Sequence, residues 1–541
     1  MNLRKPVFLF LNVIAILVLL ASCAIMSGPT GGKKDTIPPK VVSELPANKS
    51  LNFTSDKITI NFDEFVDLGD VFKEVIISPT LPKMPEILAN RRSITINFRK
   101  IKLQPNTTYS IQFGNAIKDL NEGNVLRNYR YVFSTGSYLD SLYITGKVIE
   151  ALSRKPALGY KIELYKAGND SDIYKKKPLY YARTDSSGNY KLNYLPKGVY
   201  SLYALNDKND NYFVDDPEEI GYPNAPITLD SAMAIKDTIK AFPFLAPSLS
   251  VKKISLGNHL LQVKFDKGVD SAFAMVSGNK FSTHFQTYND AKDSFAWWMS
   301  EGFPEMSVRA FFMGTKIDTT VKPDEHPRSS KFKYEISGSG DNGNLYGTSI
   351  VVRANKPIGT ISLAGIKVYK DSVPVKDVSV RYLDSAHTSF AIVFNSEEIA
   401  YKVKIWPGSV VALFGDKTKD TVQNIVNMPG LRTTGYFEMN TFTGSGNYIF
   451  QLINETGQVV FYKNVSRETL VKIPFVNPGK YRARIIKDDN KNGKWDGGDL
   501  RKRTQAEDVY YYKEELNIKA NWELVGMKFD IYQKQAPVKK P

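Results

Sequence analysis

Apolar and polar positions alternate with a period of two along much of this chain. Ile58, Ile60 and Phe62 alternate with Thr59 and Asn61, and Ile94, Ile96 and Phe98 alternate with Thr95 and Asn97. That spacing puts the apolar side chains on one face of a strand. Strands are also predicted at 260–265, 349–353 and 379–382, where β-branched and aromatic residues gather. The 541 residues include 36 Gly and 28 Pro, which fits many short strands joined by turns. Length and an apolar share of 42% allow several cores, so the pattern predicts a multidomain all-β protein.

The N-terminus departs from this pattern. Arg4 and Lys5 precede an apolar run from Val7 to Leu20, broken by Asn12, and Leu20, Ala21, Ser22 and Cys23 follow. The run is too short to span a bilayer comfortably and reads as a signal peptide. Small residues before a cysteine resemble the lipobox of bacterial lipoproteins. The resemblance implies cleavage before Cys23 and a covalent lipid on it, holding the chain on a membrane without spanning it. Ala24 and Ile25 lack the Asp that retains such proteins at the inner membrane, so the expected site is the outer membrane, on a face the sequence does not specify. Residues 1–22 are then the signal peptide and 23–34 a flexible tether.

Residues 35–137 read as the first domain. Pro38 and Pro39 open it, Phe62 to Val66 and Leu103 to Tyr109 lie inside, Asp119 to Asn124 forms a turn, and Phe133 to Gly136 closes it. This order resembles the S-layer-type bacterial Ig-like domain, a family with no shared chemistry. Residues 138–247 carry Thr184 to Tyr190, then Leu192, then Leu195 to Tyr200. These resemble a carboxypeptidase-regulatory or prealbumin-like β-sandwich, a spacer or binding platform. Two further β-domains are expected at 248–330 and 331–430. The last, 431–535, repeats the second: Gly479 and Tyr481 mirror Gly198 and Tyr200, and the same offset links Asp488, Asn490, Asn492 and Asp496 to Asp207, Asn209, Asn211 and Asp215. Residues 536–541 form a basic tail. The fold expected is tandem β-sandwich domains, Ig-like and prealbumin-like, after a lipoprotein signal peptide.

The repeat contains the best chemical candidates. Asp488, Asn490, Asn492, Lys494, Asp496 and Asp499 occupy positions 1, 3, 5, 7, 9 and 12 of a loop with Gly493 at position 6. Calcium loops use this spacing: alternate residues point inward, position 7 gives its carbonyl, and glycine permits the turn. In the sister loop the same positions are Asp207, Asn209, Asn211, Phe213, Asp215 and Glu218, with Tyr212 at position 6. The competing reading is an Asx-rich turn whose side chains bond their own backbone.

Composition excludes much else. Cys23 is the single cysteine, so no intramolecular disulfide or Cys-cluster zinc site exists, and His259, His284, His326 and His387 are too dispersed for a local metal motif. Gly338 to Gly343 fits a dinucleotide-type glycine pattern, but a strand follows where a helix is needed. Trp297 and Trp298 invite a carbohydrate platform, yet neighbours on a strand face opposite ways, so core packing competes. Asp precedes Thr36, Ser141, Ser231, Thr238, Ser271, Thr319, Ser372, Ser385 and Thr421. This resembles the O-glycosylation sequon of secreted Bacteroidota proteins, although Asp-Ser and Asp-Thr also favour turns. The net charge of +16 suits solubility or attraction to an anionic envelope polymer, and no nucleic-acid motif accompanies it. The reading is a non-enzymatic lipoprotein with a structural, adhesive or accessory scaffold role among envelope proteins. The alternative is a polysaccharide-binding lipoprotein of an uptake system.

Overall fold

The computed structural model describes residues 35–257, 259–280, 285–289, 291–299, 301–324, 331–338, 349–397, 399–428, 430 and 432–533. Cys23, the tether, His284, His326, most of the Gly338 to Gly343 segment and residues 536–541 lie outside them. Strands dominate. The only α-helix among the described residues is one turn, Val71–Glu74, capped by the Asp70 carboxylate on the Lys73 N–H. No helix among them is long and apolar enough to cross a membrane.

Five β-modules follow one another. In the first, Lys57–Phe62 pairs antiparallel with Ser93–Asn97, setting Ile58 opposite Ile96 and Ile60 opposite Ile94. All four are fully buried, as the alternation predicts. Tyr109 on strand Thr108–Gln112 and Tyr131 and Phe133 on strand Arg130–Ser134 close the same core. The second module packs its strands around Ile144, Ile162, Leu192 and Leu202. Its hairpin turn depends on Gly188 at φ +77°, where a Cβ would meet the Val148 carbonyl oxygen at 2.2 Å. The third module stacks two four-stranded sheets about Trp297, and the fourth stacks two more about Phe390 and Tyr401. The fifth centres on Phe437, Phe450 and Ile485. Trp297 and Trp298 are both buried, so neither offers the exposed stacking platform that the sequence left open.

The second and fifth modules share a topology. In each the first strand runs parallel to the last: Leu142–Glu150 pairs with Ile239–Pro243, and Gly435–Phe442 with Glu523–Asp530. In each a tyrosine hydroxyl donates four residues back, Tyr200 to the Pro196 carbonyl and Tyr481 to that of Asn477. Beyond the loops the correspondence continues at a longer offset. Ile220 opposes Leu205 as Val509 opposes Ile486, and Ile227–Leu229 corresponds to Leu516–Ile518. Three residue steps separate Asp215 from Glu218, and eleven separate Asp496 from Glu507. The fifth module therefore carries eight extra residues at this point.

Those extra residues make an interface that the sequence does not announce. Leu500 and Ala506 enter a core formed otherwise by second-module residues, including Tyr203, Leu205, Tyr222 and Phe242. The Tyr222 hydroxyl donates to the Thr504 carbonyl at 2.9 Å, and the Gln505 amide donates to the Tyr222 carbonyl at 3.0 Å. Arg503 pairs with Asp170 at 2.7 Å, and Lys240 with Asp508 at 2.7 Å. The chain thus returns on itself: modules two and five are joined directly, and modules three and four lie on the excursion between them.

Candidate functional site

The two Asx-rich loops are built alike. In the fifth module Asp488 is buried, and its carboxylate accepts the N–H groups of Asn492 at 3.0 Å and Gly493 at 2.9 Å. In the second, Asp207 accepts those of Asn211 at 3.2 Å and Tyr212 at 2.8 Å. The side-chain oxygens of Asn492 and Asn211 accept from the N–H groups of Lys494 and Phe213. Asn490 and Asn492 both donate their amides to Asp496, as Asn209 and Asn211 do to Asp215. Position 6 has left-handed backbone in both loops, φ +79° at Gly493 and +68° at Tyr212. A tyrosine there is strained, and its surroundings hold it: the ring meets Tyr181 edge-on at 5.2 Å, and the Lys161 ammonium lies 4.1 Å from its centroid.

The closing acid of the last loop is not the one its spacing selects. Glu218 accepts from the N–H groups of Lys208 at 2.9 Å and Asp215 at 3.2 Å. The residue with the same two bonds in the fifth module is Glu507, which accepts from Asp489 and Asp496, both at 2.9 Å. Asp499 instead caps its own turn, accepting from the Arg501 N–H at 3.0 Å and lying beside the Arg501 and Lys502 side chains. The eight extra residues displace it from the loop. Burial raises the pKa of both Glu507 and Glu218. Among the described residues no group of three His, Cys, Asp or Glu side chains is placed to hold a metal ion, and the carboxylates and amides of the loop are hydrogen-bonded to one another and to its backbone.

The second loop has an ammonium of its own. Lys161 is buried, and its Nζ lies 2.6 Å from Asp207 and 2.7 Å from Asp210. Burial alone would lower its pKa, but these two hydrogen bonds outweigh it and the net shift is upward. Two residues along the same strand, Glu163 is fully buried and its pKa is pushed up to about 8 by burial. The Tyr165 hydroxyl donates to it at 3.0 Å. The register that aligns the two modules sets Ile449 and Gln451 in place of Lys161 and Glu163, so this buried Lys and Glu on one strand have no counterparts in the fifth module.

The other candidates are scattered. Thr36, Ser141, Ser231, Thr238, Ser372, Ser385 and Thr421 are exposed, while Ser271 and Thr319 are half-buried in strands.

The strands define a series of β-sandwich modules. Residues 35–135 match the family model for the bacterial Ig-like domain. No curated protein matches the sequence. Among solved structures, BcpA, the major pilin subunit of Bacillus cereus, is 11% identical over 72% of this chain and 98% of its own, with a TM-score of 0.14. Domains 1–6 of the surface layer protein SbsC are 10% identical over 89% of this chain and 67% of theirs, with a TM-score of 0.15. The N-terminal eight Ig domains of the Down Syndrome Cell Adhesion Molecule are 8% identical over 88% and 60%, also at 0.15. At such scores the fold rests on the strands and cores themselves.

Proposed function

We propose that the protein is a non-enzymatic scaffold or adhesin of the bacterial cell envelope, held at the outer membrane by lipid on Cys23. The observation that carries this reading is a bacterial Ig-like domain set directly after a lipobox-like sequence and followed by four more β-modules. Cys23→Ser should move the protein from the membrane fraction to the soluble one. Crosslinking of the unaltered protein in native membranes should recover envelope proteins bound to it. A Cys23→Ser chain that stays membrane-bound counts against the anchor, and crosslinks confined to the chain itself count against the scaffold.

Calcium stiffening of the Asx-rich loops belongs to the same proposal, with Glu507 in place of Asp499 as the closing ligand. Calorimetric titration with Ca²⁺ should show a site in the last module, weakened tenfold or more by Glu507→Gln and unaffected by Asp499→Asn. The second loop should bind more weakly, because the Lys161 ammonium already lies against Asp207. No heat at millimolar Ca²⁺ would leave hydrogen bonds alone to hold both loops. The exposed Asp-Ser and Asp-Thr positions fit a surface that carries glycans.

A further inference from the structure

The second and fifth modules leave a groove of about 670 Å³ beside their shared core. That volume is in the range of small-ligand sites, which often form where domains meet. Its apolar surface includes Ala151, Leu152, Ala241, Ile453 and part of Trp495. The strand Gly479–Lys487 supplies the charge. Its odd-numbered residues Tyr481, Ala483 and Ile485 are buried in the module, which turns Arg482 and Arg484 outward into the groove.

Both guanidinium groups are held in place without a carboxylate partner among the described residues. Arg482 lies over the Tyr511 ring, 4.3 Å from its centroid. Arg484 donates to the Gln451 side chain at 2.7 Å and to the Tyr511 hydroxyl at 3.3 Å. Tyr511 is itself fixed across the interface, its hydroxyl donating to the Leu152 carbonyl at 3.1 Å. Of the groove's acids, one is paired with a cation and two are hydrogen-bonded to neutral groups. Glu150 accepts from the Ser153 hydroxyl, Glu219 from Tyr160 and Asn206, and Glu515 pairs with Lys480 at 3.2 Å. Glu455 is exposed. The lining as a whole balances four acids against four bases, but the charges are not mixed: Arg482 and Arg484 stand together on one strand, bonded only to neutral groups, and their remaining N–H groups suit a planar carboxylate.

We propose that this groove binds an acidic oligosaccharide, with a uronate carboxylate on Arg482 and Arg484. A saccharide fits better than a peptide because the strands facing the groove have no open edge. Gly479–Lys487 is paired on both sides, and the groove end of Leu142–Glu150 pairs with Ile239–Pro243 on one side and bonds to residues 155–157 on the other. A peptide backbone has no ladder to extend there. The Asn454 amide N–H groups and the Thr456 hydroxyl lone pairs offer the mixed donors and acceptors that sugar hydroxyls need.

The test is calorimetric titration of the full chain with trigalacturonate, maltotriose and a hexaglutamate peptide. Saturable binding of trigalacturonate is expected, at least tenfold tighter than maltotriose. Arg482→Gln should weaken it about tenfold or more, with an unchanged melting temperature showing that the fold is intact. Arg482→Lys keeps the charge but loses the fork, and should recover only part of the affinity. No saturable binding, or equal binding by Arg482→Gln, overturns the proposal. Tighter binding of hexaglutamate overturns it in favour of a peptide ligand. The scaffold reading does not depend on this groove and survives its failure.

Discussion

Gly498→Val is expected to separate the second module from the fifth. A Cβ at Gly498 would meet the Phe242 ring at 2.3 Å and the Thr504 carbonyl oxygen at 2.4 Å. Phe242 is buried in the shared core, and the Thr504 carbonyl already accepts the Tyr222 hydroxyl. Neither can withdraw without breaking the contact between modules. The cost should be about 3 kcal/mol, the upper part of the range for overpacking a filled core. Scanning calorimetry should show one shared transition of modules two and five become two, and proteases should cut within residues 497–506. Gly497→Ala is the control: the nearest atom to its Cβ is 3.7 Å away, an ordinary contact, so it should melt like the parent. A single unchanged transition in Gly498→Val would show that the interface contributes little.

Glu163→Gln is expected to stabilise the protein at alkaline pH and leave it nearly unchanged in acid. Glu163 lies among Tyr165, Lys161, Asp207 and Glu218 in a fully buried position, and burial raises its pKa from 4.5 to about 8. The folded protein therefore keeps a proton that the unfolded chain releases above about pH 4.5. Stability is greatest below that pH, declines as pH rises, and levels off above about pH 8. The loss is on the order of 5 kcal/mol across that window. Glutamine preserves the shape and removes the titration, so the slope should flatten. Urea unfolding at pH 5, 7 and 8.5 measures it. Parallel stability curves for the two proteins would show that Glu163 is ionised in the fold.

Local features of this fold were readable in advance, and long-range ones were not. Ile58, Ile60 and Phe62 declare a strand because one buried face imposes a period of two. Asp488 to Asp496 declare a loop because the repeat keeps its spacing there. Glu507 escaped because eight extra residues break that spacing. The clue was the later match of Ile227–Leu229 with Leu516–Ile518 at a new offset. Lys161 and Glu163 escaped for a different reason. Along Lys161–Lys166 the aliphatic Ile162 and Leu164 mark one face, so the charged face reads as solvent-exposed. The Asp207 loop covers that face, and only the assembled module shows it. The partnership of Tyr222 with Thr504 spans 282 residues and has no local signature.

The return of the chain also sets how the protein would respond to a pull. Tension applied between the first module and the end of the fifth passes through the first and second modules, crosses at Tyr222 and Leu500, and leaves through the fifth. The third and fourth modules lie outside that path, as slack held in reserve. They come under tension only after the crossing gives way, and the molecule then lengthens by two folded modules before any strand has unravelled.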